Sequence, residues 1–228
     1  LDNYNKSYIF IKTYIYMTSI KNGSRSETNG WIRINIRGGP YDRGYANGYL
    51  VSAEIKDAFR ILDFSLMDTY GFPREFFAEV ISELYGTKIK NNYPEYYEEM
   101  RGIKEGANAR GAKISMDDIV MWNCIYSVPY IADYIPGLVV NNENLNKKYG
   151  HMFVGDKTSE VKTIDYGMKM DKCTGFIAVG DYTKDGKIVC AHNTFDFFVE
   201  AQFCNIVVEV KPTKGHSFIM QSPPGHIA

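Results

Sequence analysis

Cys173-Thr174-Gly175-Phe176-Ile177-Ala178-Val179-Gly180-Asp181, followed across Tyr182-Thr183-Lys184 by Asp185-Gly186 and then Lys187-Ile188-Val189-Cys190-Ala191-His192-Asn193, is the stretch on which the fold turns. Its first part is apolar and rich in strand formers. Asp185-Gly186 is a tight-turn signal, and a second apolar run follows it, so the segment reads as a β-hairpin. Downstream, residues 205–210 alternate, with Ile206, Val208 and Val210 on one face. Residues 216–220 read as a further short strand. The expectation is an antiparallel meander of four strands.

Upstream of the hairpin the chain is mostly helical. Residues 31–37 alternate first, with Ile32, Ile34 and Ile36 opposite Arg33, Asn35 and Arg37, which is a half-buried strand. A helix is expected from about Asp42, with Ile55, Phe59, Leu62 and Leu66 on its apolar face. Gly71-Phe72-Pro73 breaks it, and a second helix runs to about Tyr85. Pro94 suits the first turn of a third helix, where Glu95, Glu98 and Glu99 meet the positive end of the dipole. Tyr96, Met100, Ile103 and Ala107 form its expected buried stripe, and Gly111 suits its exit. Ser115 with Asp118 forms a capping box that opens a fourth helix through Cys124. Helices first and paired strands afterwards make an α+β order.

The remaining stretches set the expected divisions. Residues 1–30 read as an N-terminal extension: 8–17 as an edge strand or a degraded signal segment, 18–30 as a loop. Residues 31–137 form the helical front segment. The run Asn141-Asn142-Glu143-Asn144-Leu145-Asn146-Lys147-Lys148 lacks periodicity, so 138–172 read as an exposed processing loop. Residues 173–228 open the nucleophile-bearing antiparallel sheet.

Composition narrows the function classes. A formal net charge of -1 removes any global electrostatic case for nucleic acid. With 45% hydrophobic residues the chain can bury a real core. None of Cys124, Cys173, Cys190 and Cys204 forms a C-x-x-C pair. Cys190, His192 and Cys204 are soft ligands without a standard metal spacing, so no metal or other cofactor is expected. Gly38-Gly39 and the run from Gly44 to Gly48 lack the lysine of a phosphate loop, and close helix packing explains them better.

By position Cys173 is either a free cysteine packed at a strand end or a candidate nucleophile. A cysteine at the very start of a strand becomes a new N-terminus if the bond before it is cut. Its own α-amine, with a pKa of about 7.7 to 8.0, then serves as general base. Hairpin geometry brings the end of the second strand near Cys173, so His192 and Asn193 are expected beside it. An Asn amide can donate to a developing oxyanion, an interaction worth about 3 to 4 kcal/mol.

Three segments carry a resemblance: Cys173-Thr174-Gly175-Phe176, Ala191-His192-Asn193-Thr194-Phe195, and Gln221-Ser222-Pro223-Pro224-Gly225-His226-Ile227. Together they resemble the phospholipase B-like proteins. The earlier half is similar to the related acyl-coenzyme A:6-aminopenicillanic acid acyltransferase group, through Tyr41-Asp42-Arg43-Gly44-Tyr45-Ala46-Asn47-Gly48, the stretch from Pro94 to Ile103, and Thr183-Lys184-Asp185-Gly186-Lys187. Both groups are N-terminal-nucleophile hydrolases. The resemblance implies an αββα sandwich, incomplete here because the family continues beyond the block near Ala228, and self-cleavage between Lys172 and Cys173. It implies catalytic roles for Cys173, His192 and Asn193, with Thr194 and Asp196 as substrate contacts. The implied partners are an acylated small molecule or lipid and the protein's own C-terminal fragment, in a secreted or lysosomal-like setting. A non-catalytic lipid- or ligand-binding relative is the alternative expectation.

Overall fold

The structure, a computed structural model, describes residues 17–153, 173–193, 203 and 205–227. The chain order is β1 (Met17–Ile20), β2 (Gly23–Thr28), β3 (Trp31–Gly38), α1 (Pro40–Leu50), α2 (Ser52–Tyr70), α3 (Arg74–Ile81), a π-helical turn (Ser82–Gly86), α4 (Thr87–Asn92), α5 (Pro94–Asn108) and α6 (Met116–Asn123). Then come α7 (Val128–Ile131), α8 (Ile135–Asn141), α9 (Glu143–Tyr149), β4 (Thr174–Gly180), β5 (Gly186–Asn193), β6 (Ile206–Pro212) and β7 (Phe218–Gln221). The class is α+β.

The strands form a five-stranded sheet in the order β1-β2-β3-β6-β7 and a separate β4–β5 pair. In the large sheet β3 and β6 run parallel, with Ile32 opposite Ile206 and Ile36 opposite Val210, while the other neighbours are antiparallel. This corrects the four-strand meander: β6 and β7 leave the hairpin and join strands from the start of the chain. Ile32, Ile34 and Ile36 on β3 and Ile206, Val208 and Val210 on β6 are all buried. The two apolar stripes therefore make one continuous face. Periodicity encodes such a stripe but not the strand it will lie beside. The other face is polar, and there Arg33 pairs with Glu209 at 2.7 Å.

Two further expectations are corrected. Residues 18–30 are a hairpin, β1–β2, and the chain turns into β3 at Asn29-Gly30, both left-handed with φ of 52° and 79°. The hairpin's polarity reflects an edge position. Arg25 fixes it to the helices through two bonds to Glu54, at 2.7 and 2.8 Å, and one to the Leu50 carbonyl at 2.7 Å. Residues 138–152 are helical and not loop: Asn142 caps α9, its side chain accepting from the Leu145 N–H at 3.0 Å. The rest of the expected processing loop, 154–172, lies outside the described residues.

The capping box at α6 is present: Ser115 accepts from the Asp118 N–H and Asp118 accepts from the Ser115 N–H. In α5, Met100, Ile103 and Ala107 are buried, whereas Tyr96 is exposed and Glu99 takes a place inside. The reason lies in how α5 meets α1. An added Cβ would stand 2.1 Å from the Glu99 carbonyl at Gly44 and 2.0 Å from the Ile103 carbonyl at Gly48. The reverse holds on α5, where Gly102 and Gly106 would meet the Tyr41 and Tyr45 carbonyls at 2.3 and 2.1 Å. Two glycine pairs spaced by four thus let the backbones touch, and no side chain fits between them. Arg43 bridges the same contact, its guanidinium 2.8 and 2.5 Å from the fully buried Glu99 carboxylate.

Candidate functional site

The β4–β5 ladder sets the geometry around Cys173. Thr174 pairs with Asn193, Gly175 with His192, Phe176 with Ala191 and Ile177 with Cys190. Opposed residues of an antiparallel pair share a face and have Cα atoms about 4.5 to 5.5 Å apart. His192 therefore shares the face of Gly175, and Asn193 the face of Thr174. Cys173 is exposed and immediately precedes the first paired residue. Carrying the alternation one step back puts its side chain on the His192 face.

Turn chemistry closes the far end. Gly186 has φ of 71°, the Lys187 N–H donates to the Asp185 carboxylate at 3.3 Å, and the Lys187 ammonium stands 2.7 Å from it. Lys187 holds the Asp185 carboxyl below its usual range. The ladder thus runs from this turn to the candidate site. Thr194 and Asp196, the expected substrate contacts, lie outside the described residues, as do Lys172 and Cys204.

The hairpin is exposed on both faces. Phe176 is 59% accessible, Ile177 74% and Ile188 73%. Cys190 is exposed too, on the face of Ile177 and His192. Cys124 differs, being partly buried at the end of α6, where burial pushes its thiol up and disfavours the thiolate.

The third resembling segment is held by the helices. The Trp122 indole N–H donates to the Pro224 carbonyl at 2.6 Å. The Asn123 amide donates to the Gly225 carbonyl at 3.1 Å and accepts from the Ile227 N–H at 2.8 Å. The Asn47 amide donates to the His226 carbonyl at 3.0 Å. Gly225 makes the bend with φ of 78°, and the His226 ring meets Trp122 edge-on with centroids 4.7 Å apart. Trp122 and Asn123 carry no motif in the sequence, and Asn47 appears there only within the Tyr41–Gly48 resemblance. Their signal was position: an amide on the inner side of a helix must find partners there.

The architecture so far defines a helix-covered mixed sheet plus a hairpin bearing an exposed thiol at its start. No protein-family model matches the chain. It is 27% identical over 204 residues to an uncharacterized protein of Archaeoglobus fulgidus, an alignment that takes in 87% of this chain and 30% of that protein. The chain therefore spans about 30% of that relative's length.

Proposed function

We propose that the chain belongs to a self-processing N-terminal-nucleophile hydrolase of the phospholipase B-like kind, acting on amide or ester bonds of acylated small molecules or lipids. The observation that carries this reading is the β4–β5 register, which sets His192 and Asn193 within two rungs of an exposed Cys173 at a strand start. In the proposed fold the hairpin opens the second sheet of an αββα sandwich, and its two apolar faces suit an inner layer.

The chemistry needs two passes through one thiol. In the first, the Cys173 sulfur attacks the Lys172 carbonyl carbon. The peptide C–N bond breaks, the nitrogen gains a proton, and a thioester forms. Water then hydrolyses the thioester, leaving a carboxylate on Lys172 and a free thiol and amine on Cys173. In the second, the α-amine accepts the thiol proton as sulfur attacks the substrate carbonyl, and returns it to the leaving group. Water or an amine acceptor then releases the acyl group. His192 orients the thiol from its own face. A backbone N–H stabilises the oxyanion, and the Asn193 amide, at the last rung on the Thr174 face, is the second proposed donor.

The test is mass spectrometry of the full-length protein with an acyl-hydrolysis assay. The expected result is a new N-terminus at Cys173, with both cleavage and turnover lost in Cys173→Ala. Scission between residues 172 and 173 together with turnover in that variant would overturn the reading. An intact chain with no turnover would point to the non-catalytic binding relative instead.

A further inference from the structure

Gly175 is the one residue of β4 that sits directly opposite His192. It carries no positive φ, so its backbone does not require glycine. In a strand interior glycine weakens pairing, and it commonly marks a place where another group must approach closely. Here two groups approach, the Ala191 carbonyl and, on the side-chain side, the histidine ring. A Cβ built on Gly175 would lie 3.7 Å from His192 Cδ2 and 3.3 Å from the Ala191 carbonyl oxygen. The imidazole edge thus leans across the ladder over the Gly175 backbone, onto the strand that begins at Cys173. Two residues along a strand span about 6.7 Å. A ring displaced from β5 toward β4 at this rung is accordingly displaced toward the candidate nucleophile.

We propose that Gly175 is a positioning residue: its missing side chain is the notch into which the His192 imidazole tilts to reach Cys173. The proposal rests on the reading of Cys173 as nucleophile. It assigns Gly175 no contact with substrate; it acts through His192 alone. Alanine needs only a small adjustment: its Cβ makes ordinary contact with the ring at 3.7 Å, and the Ala191 carbonyl at 3.3 Å must give by a few tenths of an ångström. Valine extends γ-methyls beyond that Cβ, 3.7 Å from the ring, and so pushes the exposed imidazole out of the notch. Valine is also a far better strand former than glycine, so it does not weaken the hairpin through backbone preference.

The experiment measures alkylation of Cys173 by iodoacetamide at fixed pH in the full-length protein. Peptide-resolved mass spectrometry keeps Cys124 and Cys190 separate, and the same digest gives the fraction cut before Cys173. In the proposed site His192 orients the thiol, so His192→Gln should slow the reaction about tenfold. Gly175→Val should slow it by a similar factor, Gly175→Ala by less than about twofold, and Gly175→Val should add nothing in the His192→Gln background. A valine variant that reacts like wild type while His192→Gln is slow overturns the notch and leaves the site reading standing. Equal slowing by valine in both backgrounds also overturns it, because the glycine then acts without His192. If neither single variant changes the rate, His192 is not beside Cys173, and the site reading falls together with the notch.

Discussion

The α1–α5 contact and the β4–β5 hairpin treat polar side chains in opposite ways. In the first, Arg43, Glu99 and Asn47 are buried and bonded to partners at 2.5 to 3.0 Å. They are committed to holding backbone and helix in place. In the second, Cys173, Cys190 and His192 stand exposed on a two-stranded ladder whose apolar residues are exposed as well. Side-chain type alone does not separate structural from chemical roles. An arginine–glutamate pair looks catalytic in a list of residues, yet here its surroundings make it a clamp.

The comparison breaks most readily at the clamp. Gly106→Val would drive a side chain against the Tyr45 carbonyl, so the helices must move apart, and a loss above about 4 kcal/mol is expected in chemical denaturation. Full stability in that variant would mean the helices do not touch through backbone. Glu99→Ala should cost about 3 to 5 kcal/mol, since it leaves the Arg43 charge buried without its carboxylate. A cost under about 1 kcal/mol would show that water reaches the pair. The sharpest contrast is Ile34→Ala against Ile177→Ala. The first empties a fully buried site and should cost about 2 to 5 kcal/mol, the second, 74% exposed, less than about 0.5. Equal costs would mean the hairpin shares a core with the body.

The smallest effect concerns a single phenol at the rim of the clamp. Tyr41 donates to Glu105 and lies under the Arg101 guanidinium, 4.3 Å from its ring centroid. The bond to the Glu105 carboxylate pushes its pKa up to about 12. Burial pushes Tyr149 up to about 12 as well, so ultraviolet titration should find both tyrosines ionising late, and Glu105→Gln should bring only the Tyr41 step back toward about 10.

Much of the local structure is legible in the sequence. Ile32, Ile34 and Ile36 named their own face, Ser115 and Asp118 their own cap, and Asp185-Gly186 its own turn. These are short-range signals, complete within a few residues. Asn29-Gly30 is an equally short-range turn signal, but the serines and asparagines around it make the stretch read as a loop. What stayed hidden was long-range. Nothing in residues 206–210 says that their partner is 31–37, and nothing in Glu99 says that Arg43 waits opposite. At the candidate site the hairpin brought Cys173, His192 and Asn193 within two rungs, as turn geometry alone allows. Which face each occupies needed the register.

The parallel ladder between β3 and β6 joins residues 174 positions apart, Ile32 to Ile206. It also straddles Cys173. A ribosome must deliver residue 212 before this ladder can close, and it must deliver residue 227 before Asn47 and Asn123 find their loop partners. Contacts this distant in sequence form late, because the loop between them must be closed first. Scission before Cys173, should it occur, would therefore fall between segments already woven into one sheet. The halves would travel together through a sizing column and separate only in denaturant. Expressed as two chains, they should find each other by closing the same ladder.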